Sequence, residues 1–318
     1  MRFKYVYGPV PSRRLGRSLG VNPIPFKTCN YSCVYCQLGR TSPLTNTQRD
    51  FFPPGQILEE IRTAAKLHTD DTDCVTFVGE GEPTLCKSLG DLIGRTKEMI
   101  GLPVAVITNG SLLHRDDVRH RLGQADVVMP SLDAADQETF QKVNRPHGTL
   151  KITEIVDGMA RFRQMFHGQL WIEVMLIRGV NEGEEALLEV RRALDRIAPD
   201  RVYVNVPIRP PAESWVTAPD TEGLVRAHAL LGDVVFIDVS ESGVFSTAGF
   251  DSPVEAVSMI VRRHPMRMEQ ILKTLDMFSQ EAIDVALQAL KADGKMQEVL
   301  YRGDVYYATG EGRYVARA

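Results

Sequence analysis

Short runs of β-branched residues alternate with amphipathic stretches of helical length from residue 18 to about residue 240. This alternation is typical of a parallel sheet, because parallel neighbours are joined through a long crossover that is usually a helix. It favours either an open doubly wound sheet or a full or partial barrel, and in both architectures ligands bind at the carboxyl ends of the strands. We predict six principal strands and a weaker seventh, at SLGVN (18–22), CVTFV (74–78), VAVIT (104–108), VVMPS (127–131), WIEVMLI (171–177), VYVNV (202–206) and VVFI (234–237).

The pattern changes after about residue 250, where the strong strand signals stop. Three segments of helical periodicity follow, and then an alternating segment with an Arg-Gly-Asp turn that is typical of a β-hairpin. Helix, helix, helix and hairpin is the element order of a winged-helix domain. We therefore predict a main α/β domain with an N-terminal extension at residues 1–252 and a small winged-helix-like domain at residues 253–318.

The charge of the chain gives no general case for nucleic acid or membrane binding, since 37 Lys and Arg oppose 41 Asp and Glu. Residues 253–318 carry nine residues of each sign, and their third predicted helix contains Glu281 and Asp284. A helix that reads DNA is basic, so we expect no sequence-specific DNA binding. No stretch approaches 18 consecutive apolar residues and the N-terminus lacks a signal-peptide pattern, so we expect a cytoplasmic protein without membrane contact.

Three of the five cysteines, Cys29, Cys33 and Cys36, lie in one short segment just beyond the first predicted strand. In a reducing compartment such a group indicates metal or redox chemistry and not a disulfide framework. Spacings of four and three residues allow three thiolates to ligate three irons of a [4Fe–4S] cluster and to leave the fourth iron open. A structural zinc site normally takes four protein ligands. No nearby histidine supplies the fourth ligand, since the closest in the sequence is His68, and zinc is therefore kept only as the alternative.

The segment from Cys29 to Cys36 resembles the C-x-x-x-C-x-aromatic-C loop of radical S-adenosylmethionine (radical SAM) enzymes. The resemblance implies that the three cysteines hold a [4Fe–4S] cluster whose open iron binds the methionine portion of S-adenosylmethionine. It also implies that Tyr35, at the aromatic position, contacts the adenine. The second predicted strand runs into Gly-Glu-Gly-Glu-Pro at residues 79–83. This run is similar to the family's G-G-E-P element, which implies that Gly81, Glu82 and Pro83 grip the methionine amino group.

Three further strand ends resemble cosubstrate-binding elements of the same family. The third strand ends in Thr108 and Asn109, and the fourth in Ser131-Leu132-Asp133. The resemblance implies that Thr108, Asn109, Ser131 and Asp133 contact the methionine carboxylate or the ribose. The fifth strand leads into MLIRGVNE (175–182), which is similar to the adenine-binding G-x-I-x-G-x-x-E element and places Ile177 beside the adenine. Its first glycine is replaced here by methionine.

The resemblance covers roughly residues 18–240 and implies the family's partial (β/α)6 barrel, followed here by the winged-helix-like domain. Residues 7–16, the following SLGV (18–21) and the Gly-Glu-Pro-Thr-Leu run resemble a sparsely characterised branch akin to the wyosine-base-forming enzymes. Those enzymes carry an additional cysteine set, which this chain lacks. Cys74 begins a predicted strand and is expected to behave as a small apolar residue. Cys86 follows the Gly-Glu-Pro run closely and is expected to lie nearer the site than Cys74.

Substrate contacts are less defined by the sequence. Cationic candidates for an anionic substrate are Arg13, Arg14, Arg145 and Arg209, and Glu173 and Asn205 are polar residues within apolar strands that could face the barrel interior.

The implied function is reductive cleavage of S-adenosylmethionine and hydrogen abstraction from an unidentified peptide, protein, RNA or small molecule. The implied electron donor is a one-electron carrier such as flavodoxin or ferredoxin. We expect the radical site to be complete by about residue 240 and the winged-helix-like domain to dock the substrate. Two alternatives remain open: a zinc-binding winged-helix regulator, and a protein of the same fold that binds S-adenosylmethionine without turnover.

Overall fold

A computed structural model describes residues 3–237 and 250–315. The main sheet of this part of the chain has eight strands, and their order across the sheet is the same as their order along the chain. The strands are β1 (Val6–Ser12), β2 (Gly16–Val21), β3 (Cys74–Phe77), β4 (Val104–Thr108), β5 (Val127–Pro130), β6 (Gln169–Met175), β7 (Arg201–Asn205) and β8 (Val235–Ile237).

The sheet is parallel from β2 to β8, and β1 is added at one edge as the antiparallel partner of β2. Because successive strands are neighbours throughout, the sheet winds in one direction as in a barrel, with β1 and β8 at its two edges. The predicted partial barrel is confirmed, and the weak seventh strand is present as β8. The carboxyl ends of seven parallel strands therefore meet at one end of the sheet.

The six principal strands that were predicted are present as β2 to β7, and only β1, at the N-terminal side of the main sheet, was not expected. The sequence of β1, VYGPVPS, contains one glycine and two prolines, and proline cannot donate to a strand ladder. The structure accommodates the prolines because β1 is an edge strand, and its register with β2 shifts between Tyr7 and Val10. Edge strands and irregular pairings are the places where proline is tolerated.

Helices connect the parallel strands and cover the sheet. A typical one begins directly after Pro53 with Pro54 at its first position, and it buries Ile57, Leu58 and Ile61 at helical spacing. The apolar faces of these helices and of the sheet form one large core. The helices are α1 (Pro54–Leu67), α2 (Leu89–Ile100), α3 (Asp116–Leu122), α4 (Gln137–Asn144), α5 (Ile152–Met165), α6 (Glu184–Ile197) and α7 (Thr221–Leu231).

The C-terminal segment has its own small core and its own sheet. Its elements are α8 (Pro253–Val261), β9 (Met266–Arg267), α9 (Met268–Thr274), α10 (Gln280–Ala292), β10 (Met296–Tyr301) and β11 (Asp304–Thr309). The helices pack through Val257, Ile271 and Leu287, and the three strands form an antiparallel sheet in the order β10-β11-β9. The three predicted helices and the hairpin are present, and the short strand β9 was not expected. The domain boundary at residue 253 stays a prediction.

Within residues 3–237 and 250–315, none of the helices combines the length and the apolar character that crossing a bilayer would demand.

Candidate active site

A cavity of about 420 Å³ lies inside the barrel and opens toward the loops at the carboxyl ends of the strands. Most of the residues that the sequence singled out reach its wall. These are Cys29, Cys33, Tyr35, Cys36, Gly81, Glu82, Thr108, Asn109 and Ser131. The other three candidates, Pro83, Asp133 and Ile177, lie behind this wall.

The cysteine loop follows β2 and is held by backbone hydrogen bonds to the end of α4. Ser32 N donates to the carbonyl of Asn144, and Val34 N donates to the carbonyl of Val143. These contacts bring the loop against the ends of the strands, although 111 residues of sequence separate Cys33 from Asn144. The loop is therefore a fixed part of the barrel mouth.

Each of the three sulfurs has a nitrogen donor directed at it. Tyr31 N lies 3.4 Å from Cys29 Sγ, Asn144 Nδ2 lies 3.5 Å from Cys33 Sγ, and Lys27 Nζ lies 3.2 Å from Cys36 Sγ. Donors of this kind favour the thiolate form that ligates metal, and hydrogen bonds to the sulfurs are among the factors that set the potential of an iron–sulfur cluster.

Burial has the opposite effect on the thiols. It raises the pKa of Cys29 to about 12, with a further contribution from the nearby Glu82 charge, and it raises the pKa of Cys33 well above the usual range. A thiolate in this position therefore needs the positive charge of bound metal. Among the described residues, no three His, Cys, Asp or Glu side chains are arranged as ligands of a single metal ion. The zinc alternative thus gains no support from the geometry.

Glu82 links the loop after β3 to the end of β4. Its Oε1 accepts hydrogen bonds from Thr84 N (3.0 Å), Thr84 Oγ1 (2.5 Å) and Thr108 Oγ1 (2.5 Å), and its Oε2 accepts one from Asn109 N (2.7 Å). Four donors match the roughly four lone-pair sites of a carboxylate. Burial raises the pKa of Glu82 in spite of these bonds. The arrangement makes Glu82 a support for the loop, and its predicted contact with the methionine amino group stays a prediction.

The loop itself approaches the cysteine segment closely. A Cβ atom on Gly81 would lie 2.0 Å from the carbonyl oxygen of Thr28, so a side chain at residue 81 would displace the backbone that leads into Cys29. Glu82 N also donates to the same carbonyl at 2.9 Å. Glycine at this position thus lets two segments of the site come together. Pro83 is buried and begins a short 3₁₀ helix immediately behind.

Asp133 supports Tyr35 from behind the wall. Its Oδ2 accepts from Tyr35 Oη at 2.5 Å and from Asn144 Nδ2 at 2.6 Å, and its Oδ1 accepts from Met175 N at 2.9 Å. Burial raises the pKa of Asp133, and burial together with the Asp133 charge raises the pKa of Tyr35. Ile177 is fully buried in an apolar cluster against which Tyr35 packs. Asp133 and Ile177 therefore fix the position of Tyr35.

Asn109 reaches the cysteine loop directly. Its Nδ2 donates to Asn30 Oδ1 at 2.7 Å and lies 3.7 Å from Cys29 Sγ. Thr108 turns its hydroxyl to Glu82, whereas Ser131 lines the cavity and forms an isolated bridge with Glu173. The ends of β4 and β5 thus meet the cysteine loop, which is the convergence that the strand assignment predicted.

Part of the cavity wall is polar. Arg13 and Arg14, in the turn between β1 and β2, line it together with Glu173 and Asn205, and so does Arg209, which donates from Nη1 to Gln37 Oε1 at 3.0 Å. Arg14 forms an ion pair with Glu173, and Asn205 Nδ2 lies 3.3 Å from Glu173 Oε1. Asn205 Oδ1 is buried and has no hydrogen-bond partner in the described part of the chain. Polar contacts for a substrate are therefore available here.

Two other candidates lie elsewhere. Arg145 does not line the cavity; it forms an ion pair with the buried Glu213, which Arg40 also contacts at 2.5 Å. Cys86 is buried and does not line the cavity, while Cys74 contacts the hydroxyls of Ser18 and Thr76 inside the sheet.

Sequence reasoning missed Lys27, Asn144 and the contacts of Arg262 and Arg263 with the loop after β3. A lysine two residues before the first cysteine was a usable signal for Lys27. The other contacts join residues more than 100 positions apart, and no local pattern indicates them.

Comparison with known proteins was consistent with these observations. The family model of the Radical SAM superfamily matches residues 24–190 of the chain. The chain is 35% identical over 306 residues to a UPF0026 protein of Methanocaldococcus jannaschii, and the match covers 95% of this chain and 94% of that protein. It is also 32% identical over 311 residues to a protein of Brachyspira hyodysenteriae named GTPase Obg. That match covers 97% of this chain but only 45% of the other.

Among solved structures, a radical SAM methyltransferase from Sphaerobacter thermophilus aligns with a TM-score of 0.53 at 17% identity, over 71% of this chain and 67% of that one. Native anSMEcpe with bound AdoMet aligns with a TM-score of 0.50 at 16% identity, over 76% and 66% of the two chains. At these identities the likeness concerns the fold.

Proposed function

Since the chain belongs to the radical SAM superfamily, we propose that it cleaves S-adenosylmethionine reductively and uses the resulting 5′-deoxyadenosyl radical to remove a hydrogen atom from a substrate. The observation that carries this proposal is the meeting of Cys29, Cys33 and Cys36 with the ends of β3, β4 and β5 on one cavity wall. The electron donor would be a one-electron carrier such as flavodoxin or ferredoxin.

The donor set fits a [4Fe–4S] cluster with one open iron. Three thiols face the cavity, each has a nitrogen donor directed at its sulfur, and no fourth cysteine lines the same wall in the described residues. We assign Cys29, Cys33 and Cys36 as the residues that would hold the cluster. When bound, the cluster supplies the electron for reductive cleavage.

The remaining residues would hold the cosubstrate in place. The backbone of residues 79–81 and the side chain of Asn109 face the position beside the cysteines, where they can bind the methionine portion. Tyr35, fixed by its hydrogen bond to Asp133, is suited to contact the adenine. Enclosure by the barrel would keep bulk water away from a reactive radical.

We further propose that the substrate carries an anionic group. Arg13, Arg14 and Arg209 line the cavity from two different parts of the chain. Guanidinium groups bind a carboxylate or phosphate through paired hydrogen bonds. The unpartnered Asn205 Oδ1 would accept a hydrogen bond from the same molecule.

The decisive experiment is anaerobic reconstitution with iron and sulfide, followed by chemical reduction in the presence of S-adenosylmethionine. We expect about four irons per chain and slow formation of 5′-deoxyadenosine and methionine, detected by mass spectrometry. Replacement of Cys29, Cys33 and Cys36 together by alanine should abolish both. The matched control is a Cys74→Ala, Cys86→Ala double variant, which should keep both.

Two results would contradict the proposal. One zinc per chain in place of iron and sulfide would favour the zinc-binding regulator. A reduced, iron-loaded protein that binds S-adenosylmethionine but forms no 5′-deoxyadenosine would favour binding without turnover.

A further inference from the structure

Two arginines at the end of α8 contact the loop that follows β3. Arg263 Nη2 lies 2.9 Å from Glu80 Oε1, and Arg262 Nε lies 3.0 Å from Glu80 Oε2. The side chains of Glu80 and Arg263 are 4% and 8% exposed, so their ion pair is buried. The contact joins residues of the C-terminal segment to a carboxylate on the cavity wall.

The buried carboxylate depends on Arg263. Glu80 Oε1 has no hydrogen bond within the described residues, so its ion pair with Arg263 is what compensates for its burial there. The guanidinium of Arg263 also lies over the ring of Tyr7 at 4.3 Å, which holds it in place from the opposite side. Removing Arg263 would leave the buried carboxylate with the more exposed Arg262, so that its charge would be only partly compensated. We therefore expect the loop around Glu80 to move if Arg263 is lost.

This loop is tied to the cysteine segment through its backbone. The carbonyl of Glu80 accepts a hydrogen bond from Lys27 N at 2.6 Å, and Glu80 N donates to Asn22 Oδ1 at 3.2 Å. Lys27 in turn donates from its ammonium group to Cys36 Sγ. A displacement of Glu80 would therefore be transmitted both to the residues predicted to bind the methionine amino group and to the cluster ligands.

The C-terminal segment also holds the other side of the cysteine loop. Gln37, next to Cys36, donates from Nε2 to the carbonyl of Arg263 at 2.8 Å, and its own carbonyl accepts from Tyr314 Oη at 2.5 Å. Arg40 N donates to the carbonyl of Arg313 at 2.9 Å. A Cβ on Gly39 would lie 2.6 Å from Arg313 N, so the two backbones are in direct contact.

We propose that Arg263 is a positioning residue for S-adenosylmethionine, acting through Glu80, and that the C-terminal segment completes the cosubstrate site. This proposal departs from the expectation that the site is complete by about residue 240, and it is supported by His264, which lines the cavity, and by Gln37, which is held from the C-terminal side. The inference rests on the proposed function, and it concerns the binding of the cosubstrate before any cleavage.

The test compares the affinity of cluster-loaded variants for S-adenosylmethionine by calorimetry under anaerobic conditions. Arg263→Met keeps an unbranched apolar stem and removes the guanidinium group with its charge, and Glu80→Gln removes the opposite charge. We expect each variant to bind S-adenosylmethionine about ten- to a hundredfold more weakly, in line with the loss of a hydrogen-bonded charge contact. Arg192→Met, which removes an exposed ion pair with Glu189 on α6, is the matched control and should bind as tightly as wild type.

A spectroscopic readout separates positioning from general destabilisation. The paramagnetic resonance signal of the reduced cluster is expected to change when S-adenosylmethionine binds to the open iron. Arg263→Met should show the same change only at a higher concentration of S-adenosylmethionine. Its iron content should equal that of wild type. Arg263→Lys, which keeps the charge, should recover most of the affinity.

The double variant Glu80→Gln, Arg263→Met removes both charges and so leaves no uncompensated group if the single variants fold poorly. We expect its loss of affinity to be smaller than the product of the two single losses, because the residues act as a pair. The inference would be overturned if folded, iron-loaded Arg263→Met bound S-adenosylmethionine as tightly as wild type. It would also be overturned if the loss of affinity in the double variant equalled the product of the two single losses. Failure of the wild-type protein to form 5′-deoxyadenosine would instead count against the proposed function.

Discussion

The ammonium group of Lys27 donates hydrogen bonds to Cys36 Sγ at 3.2 Å and to the carbonyl of Gly39 at 2.6 Å. Burial opposes the charge on Lys27, but the negative charges of the neighbouring cysteines outweigh this effect and raise its pKa. Lys27 is therefore cationic at neutral pH. A positive charge beside a ligand sulfur stabilises the more negative, reduced form of an iron–sulfur cluster.

Lys27→Met should consequently lower the reduction potential of the cluster. We expect a shift of some tens of millivolts, where about 59 mV corresponds to a factor of ten for a one-electron couple. The measurement is a redox titration followed by paramagnetic resonance. Lys142→Met, which removes an exposed ion pair with Glu138, is the control. A potential equal to that of wild type would show that the Lys27 contact has no electrostatic effect on the cluster.

Replacement of Glu82 separates its two possible roles. Glu82→Ala removes the acceptor of four donors, so the free energy of unfolding should fall by about 3 kcal/mol, measured by chemical denaturation. Glu82→Gln keeps one carbonyl for Asn109 N and should have an intermediate effect. If Glu82→Ala had wild-type stability and lost only its affinity for S-adenosylmethionine, a direct contact with the methionine amino group would be the better explanation.

Tyr35 and Asp133 should differ in their sensitivity to substitution. Tyr35→Phe removes one hydrogen bond and should reduce stability by about 1 kcal/mol. Asp133→Asn places an amide group among three donors and should cost more, because at least one donor then lacks an acceptor. Thermal unfolding and affinity for S-adenosylmethionine are the measurements. Equal effects of the two changes would argue against Asp133 as the residue that fixes Tyr35.

Glu213 should make the stability of the cysteine loop dependent on pH. Its backbone N donates to the carbonyl of Val34, and its carboxylate contacts Arg40 and Arg145. Burial raises the pKa of Glu213, but the hydrogen bonds from the two arginines outweigh burial, and the pKa lies below its ordinary value. A carboxyl group with a lowered folded-state pKa stabilises the protein above its unfolded pKa, and this contribution is lost as the pH falls through the folded pKa.

We therefore expect the free energy of unfolding to decrease in the acidic range below the ordinary glutamate pKa of about 4.3. In Glu213→Gln this part of the decrease should be absent. Denaturation curves collected across that range provide the measurement. If wild type and variant had the same pH dependence, the ion pairs of Glu213 would not contribute to stability.

The parts of this protein that could be predicted from its sequence are those governed by local patterns. β-branched runs gave the parallel strands, and the spacing of Cys29, Cys33 and Cys36 gave the candidate cluster ligands, because both depend on residues close together in the chain. β1 was missed since its prolines argue against a strand unless its edge position is known.

The supporting contacts could not be predicted in the same way. The assignment of Glu82 to an ammonium contact rested on the resemblance of residues 79–83 to the G-G-E-P element. The four donors around Glu82 come from a folded loop and a neighbouring strand, which that resemblance does not indicate. The ion pair between Glu80 and Arg263 joins residues in opposite parts of the sequence. Nothing in the sequence near Arg263 distinguishes it from the adjacent Arg262. Only the folded structure shows that Arg262 is the more exposed of the two.

The buried pair also limits how relatives of this protein can diverge. A lineage that loses the arginine at position 263 while keeping the acid at position 80 would retain a charge in the interior with diminished compensation, and selection should remove it. The two positions should therefore covary, with a neutral residue at 80 wherever the C-terminal segment is shortened or carries no basic residue at 263. In evolutionary terms, the loop after β3 and the C-terminal segment are expected to be inherited and lost together.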